Sequence, residues 1–205
     1  MNEILRLRRD ASWQDGVLLE GHIQMRLDKL SPGLEAAMGM LADGGGADED
    51  ALDDVVGEEN LMALQLLLRN LETKGWLERV LPGLATLSPV GHQLAPVLVR
   101  PSELVLSRFA YVRRDGDELV VETPTASVRL WLHDPSALPR VFAPSVGDPL
   151  AALLLRAGIA VAPDAEDGFA LEQWEFHDLL QHARSRVGRH LGDYGGSYRF
   201  EGRFP

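Results

Sequence analysis

From about Glu59 to Lys74, Leu61, Leu64, Leu67, Leu68 and Leu71 recur three and four residues apart. That spacing gives a helix one apolar face, which must be buried against other elements. Gly75 follows where a residue of positive φ ends a helix. The chain must therefore supply partners for this helix. Upstream, Leu34, Ala37, Met38 and Leu41 predict a helix after the Ser31-Pro32-Gly33 break, and Asp48 to Val56 predicts a second. Short apolar runs at 4–8 and 17–20 and the alternation over 22–28 predict three strands, and Trp76 to Val80 predicts a strand or wing. Strands, two short helices, a long third helix and a wing describe a winged helix-turn-helix unit.

The second half carries a shortened copy of this order. Phe109 to Asp115 matches Leu5 to Asp10, Leu119 to Glu122 matches Val17 to Glu20, and Val128 to Leu132 matches Ile23 to Leu27. Leu150 to Gly158 with Ile159-Ala160-Val161 matches the end of the long helix through Trp76. The predicted fold is α+β, with two tandem winged-helix-like units followed by a C-terminal helix and strand. The divisions are a first unit at 1–85, a Pro-rich linker at 86–103, a second unit at 104–165 and a coupling segment at 166–205.

Composition narrows the chemistry. The 205 residues contain no cysteine, which excludes disulfides, thiolate metal sites and cysteine nucleophiles. No apolar run is long enough for a membrane span, and Met1-Asn2-Glu3 opens no signal peptide, so the expected location is the cytoplasm. The net charge is −11, and 14 acids against 5 bases fall within residues 1–60. That field opposes binding to nucleic acid, although a winged-helix transcriptional regulator is the alternative that this fold class raises. It does not oppose a basic protein or peptide.

No catalytic residue and no metal site stand out. His177 and His182 are five apart, which turns the second ring about 140° from the first, whereas helical zinc pairs sit four apart. His22, His92 and His133 stand alone in the sequence. Asp43 to Glu59 holds eight carboxylates without the register of a calcium loop, so it reads as a solvated face or a patch for a basic partner. Gly44-Gly45-Gly46 is followed by acids and reads as a flexible linker, not a phosphate loop.

Leu106 to Arg114, then Leu119 to Pro124, then Trp174 to Leu180, His182 to Arg189 and Gly195 to Phe200 form ordered blocks. In these blocks the chain resembles the region before the flavin domain of SagB-type dehydrogenases. Those enzymes belong to the nitroreductase superfamily and oxidise thiazolines and oxazolines in ribosomally made peptides. The resemblance implies a non-catalytic recognition and scaffold part of such a system, because the flavin-binding motifs would lie beyond Pro205. FMN is then expected in a partner or a missing domain and not on this chain. The implied partners are a nitroreductase-fold flavoprotein, the precursor peptide and the cyclodehydratase that carries it, and a homodimer stays open.

The winged units also resemble, more loosely, PqqD-like elements that hold leader peptides. That resemblance implies strand addition at Ile23, Gln24, Met25 and Arg26, with Gln65 and Arg69 on the groove wall. The opposing reading packs this edge on the second unit. The C-terminal segment is expected to dock the partner through Phe176, His177, Leu179 and Leu180, with Arg184, Arg186 and Arg189 as charged contacts.

Overall fold

The computed structural model describes residues 2–90 and 101–186. Its first half contains β1 (Ile4–Leu7), β2 (Ser12–Gln14), β3 (Val17–Glu20), β4 (Ile23–Arg26), α1 (Pro32–Ala42), α2 (Glu49–Val56), α3 (Leu61–Thr73), β5 (Leu77–Leu81) and β6 (Ala85–Pro89). The second half contains β7 (Val105–Leu106), β8 (Tyr111–Asp115), β9 (Glu118–Glu122), β10 (Val128–Leu132), α4 (Leu138–Phe142), α5 (Pro149–Arg156), β11 (Ala160–Val161), α6 (Phe169–Glu172) and α7 (Phe176–Arg186). The fold is α+β, and every strand pair is antiparallel. No helix among the described residues is long and apolar enough to cross a membrane.

Local chemistry explains the helix ends. Ser31 accepts from the Leu34 amide and Asp48 from the Ala51 amide, so each caps its helix. After α3, Gly75 takes φ +70°, its amide donates to the Glu72 carbonyl, and the Trp76 amide donates to the Leu71 carbonyl. This is a Schellman closure, which turns the chain into β5. The same closure ends α5: Gly158 has φ +63°, its amide donates to Leu155, and the Ile159 amide donates to Leu154.

The copied order extends to the start of each half. The Arg8 amide donates to the Trp76 carbonyl, and the Ser107 amide donates to the Ile159 carbonyl. The Ala11 amide then donates to Arg8, and the Ala110 amide to Ser107. By these bonds Leu104–Ser107 is the counterpart of Leu5–Arg8, and β8 is the counterpart of β2. The match of Phe109–Asp115 to Leu5–Asp10 is therefore displaced by one strand: similar Arg-Arg-Asp endings masked the register that the hydrogen bonds define.

Strands β2-β3-β4 form one sheet, β7 and β11 another, and β1-β5-β6-β10-β9-β8 a six-stranded sheet built from both halves. Residues 86–89, expected in the linker, belong to β6 at the centre of that sheet, with β5 on one side and β10 on the other. Pro82-Gly83 makes the hairpin turn and Pro89 stands at the strand end, where its missing amide does not break the ladder. Residues 91–100 lie outside the described residues.

One apolar cluster joins Leu5, Leu18, Leu34, Met38, Leu64, Leu71, Trp76 and Leu77. The second joins Leu81, Leu87, Val121, Leu130, Val141, Leu150, Leu154 and Ile159. They meet along β5, where Arg79 lies between Leu77 and Leu81 and pairs in register with Leu5 and Leu87.

Candidate functional site

Strand β4 pairs with β3 in the register Ile23↔Glu20, Gln24↔Leu19, Met25↔Leu18 and Arg26↔Val17. Among the described residues no strand pairs with its other edge. Ile23 and Met25 pack on the first core, while Gln24 and Arg26 are exposed. An open edge beside apolar side chains is what strand addition requires: main-chain groups supply affinity and alternate side chains supply choice.

Helix α3 borders this edge through the flank that bears Lys74, whose Nζ lies 3.5 Å from Met25 Sδ. The other flank bears Glu72, which meets Arg79 and Arg156. At 100° per residue Gln65 and Arg69 fall on the Glu72 side. The structure thus brings Ile23, Gln24, Met25 and Arg26 together on one strand but turns Gln65 and Arg69 away from it. The side chain that reaches β4 is that of Lys74 at the end of the helix instead. Lys74 was legible only as a helix end, because the sequence does not say on which side of α3 a sheet lies.

The C-terminal segment is partly consumed within the chain. Leu179 is 8% exposed and lines a cavity of about 280 Å³ with Thr123 to Val128, so its own chain covers most of it. Phe176 meets the Tyr111 ring edge-on at a centroid distance of 5.7 Å. His177 is exposed beside Asp178, and Leu180 is half-buried. Apolar side chains of this helix find cover on β8 and on the β9–β10 loop, a tertiary contact that the helical stripe alone does not disclose. Arg184 and Arg186 occupy the last turn of α7, and Arg189 lies outside the described residues.

Sequence reasoning missed a polar row across the six-stranded sheet. Arg6 Nε donates to Glu78 at 2.8 Å and Ser88 donates to the same carboxylate at 2.5 Å. Further along, Arg129 Nε donates to Glu122 at 2.7 Å, Arg113 Nε at 2.8 Å and the Tyr111 hydroxyl at 3.2 Å. The Glu122 side chain is only 2% exposed and is balanced by two guanidinium groups. A cavity of about 260 Å³ opens over this face between Arg8, Arg9, Arg129 and Trp131. The signal was the alternation of polar residues within β1, β5 and β10, but the strand order that aligns them is not local.

His133 also proves not to stand alone. Its Nε2 is 2.9 Å from Thr86 Oγ1 and its Nδ1 is 2.5 Å from Glu118 Oε1, linking β6 to β9. Among the described residues no group of three or more His, Asp or Glu is arranged to hold a metal ion.

The family model of the cyanobactin oxidase ThcOx matches residues 104–145 and 140–191. It describes a family of ribosomal-peptide maturation enzymes related to SagB-type dehydrogenases. The matched span contains β7 to β11 and reaches through α7. No curated protein matches the chain.

Proposed function

We propose that this chain acts in the maturation of ribosomally made peptides, in the cytoplasm, as the recognition and scaffold part of an azoline dehydrogenase system. The match to the ThcOx family carries this reading. Three observations support the mode. The β2-β3-β4 sheet precedes three helices, Ala47 between α1 and α2 bridges to Leu5, and β5 and β6 form the hairpin after α3. We read this order as a winged-helix unit with an added sheet, in which β4 is open to an extended precursor peptide.

In this reading α7 couples the chain to a flavoprotein, with His177, Leu180, Arg184 and Arg186 as its contacts. A nitroreductase-fold partner or further sequence holds the FMN, and a cyclodehydratase delivers the peptide. Bound FMN supplies the two-electron oxidation of an azoline to an azole. The residues of this chain bind and orient the peptide: Ile23 and Met25 border its apolar positions, and Gln24 and Arg26 flank its exposed ones.

The competing reading, a DNA-binding regulator, needs cationic or amide side chains on the outer face of α3. That face exposes Met62 and Leu66 beside only Gln65, Arg69 and Asn70, and the neighbouring α2 carries Glu49, Asp50, Asp53 and Asp54, a field that opposes DNA.

The test is a nuclear magnetic resonance titration of the full chain with a precursor peptide of the cyanobactin class. Amide shifts are expected at 23–26 and at Lys74, and Gln24→Pro should weaken binding by about tenfold or more, since proline removes an edge donor. Shifts confined to other elements, or binding unchanged by Gln24→Pro, would sink strand addition at β4.

A further inference from the structure

The outer face of α3 carries Met62 and Leu66, one helical turn apart, at 79% and 62% exposure. They are the two most exposed large apolar side chains among the described residues. Neither belongs to the apolar cluster that holds Leu64, Leu67, Leu68 and Leu71, so the core does not require them to be apolar. At 100° per residue they point roughly opposite the buried face, and well away from the flank that bears Lys74 and borders β4. The strand-addition edge and this stripe are two separate surfaces.

The charge around the stripe states what can cover it. Glu58 and Glu59 precede Met62 by one turn, and both are exposed. They end a run from Asp43 to Glu59 with eight carboxylates and no basic residue. Arg69, one turn beyond Leu66, is exposed at the other end and has no ion-pair partner among the described residues. The surface therefore has an acidic end, an apolar middle and a single cation. A second copy could set only its single Arg69 against this run of carboxylates, and a nucleic acid or anionic membrane would meet the wrong sign.

We propose that this face of α3 docks a basic, amphipathic segment of a partner protein, whose apolar side chains cover Met62 and Leu66 and whose cations meet Glu58 and Glu59. The apolar pair supplies the buried centre and the carboxylates steer the approach and set its direction. This surface stands apart from the peptide edge at β4, and its existence does not depend on that edge being used.

The experiment measures fluorescence anisotropy of two labelled amphipathic helical peptides on the full chain, with identical apolar positions and either lysines or glutamates elsewhere. The lysine peptide is expected to bind at least about tenfold more tightly than the glutamate peptide, and less tightly as salt rises. The Met62→Ser/Leu66→Ser variant should keep its circular dichroism and melting temperature, because both side chains are exposed, and weaken the lysine peptide by about tenfold. Glu58→Gln/Glu59→Gln should flatten the salt dependence. Equal affinity for both peptides, or full binding by the serine variant, overturns the proposal. Loss of lysine-peptide binding in Gln24→Pro but not in the serine variant also overturns it and assigns capture to β4.

Discussion

Glu72→Ala is expected to lower the unfolding free energy by about 3 kcal/mol, because it strips a carboxylate from a guanidinium buried between two apolar cores. The Arg79 side chain is 10% exposed, and its Nε donates to Glu72 at 2.7 Å while Nη1 meets Glu3. Arg156 of α5 reaches the same Glu72 oxygen at 3.4 Å, so this hub ties α3 of the first half to α5 of the second. Burial opposes the charge on Arg79, yet the hydrogen bonds and charges of Glu72 and Glu3 raise its pKa further. Without Glu72 the cation retains only Glu3, and desolvation is no longer offset. The double variant Glu72→Leu/Arg79→Met removes both charges and should lie within about 1.5 kcal/mol of the parent. Urea unfolding of the three proteins checks both statements, and a single variant as stable as the parent would refute the hub.

The same group sets a pH dependence. Burial opposes ionisation of Glu72, but the hydrogen bond and charge of Arg79, with the charge of Arg156, outweigh it and hold its pKa below the usual 4.5. A carboxyl depressed in the folded state adds stability that is complete above its unfolded pKa and disappears as pH falls through the folded one. The parent should therefore lose stability relative to the double variant as pH falls below about 4.5 and Glu72 becomes protonated.

Gly46→Ala is expected to destabilise by about 2–5 kcal/mol, from a left-handed backbone forced on a residue with a Cβ and from overpacking against β1. Gly46 has φ +68°, and a Cβ there would run into the Leu5 carbonyl oxygen and lie 2.7 Å from Arg6 Cβ. The adjoining Ala47 exchanges both backbone hydrogen bonds with Leu5, at 2.8 and 2.9 Å. Gly45→Ala meets nothing within 4 Å and should shift stability by no more than about 0.5 kcal/mol. Comparing the two unfolding midpoints separates the readings. Equal small effects would restore the flexible linker expected from three consecutive glycines, whereas the predicted contrast makes only the third a structural residue. Sequence could not tell these glycines apart, because the backbone that approaches Gly46 comes from β1, some forty residues earlier.

The sequence by itself determined what is settled within one or two helical turns. The spacing of Leu64, Leu67, Leu68 and Leu71 defined the buried face of α3, Ser31 and Asp48 marked helix starts, and Gly75 and Gly158 marked ends, since caps and apolar periodicity act locally. It also placed Ile23 to Arg26 on one strand. Only the tertiary structure decided which strand becomes an edge, which flank of α3 faces β4, and that Leu179 is covered by its own chain. It also inserted β6 between β5 and β10, aligning Arg6, Glu78, Ser88, Arg129, Glu122 and Tyr111 across six strands. The physical reason is that sheet order and helix orientation depend on contacts between distant residues, where burial of both cores and pairing of buried charges such as Arg79 and Glu122 are satisfied together.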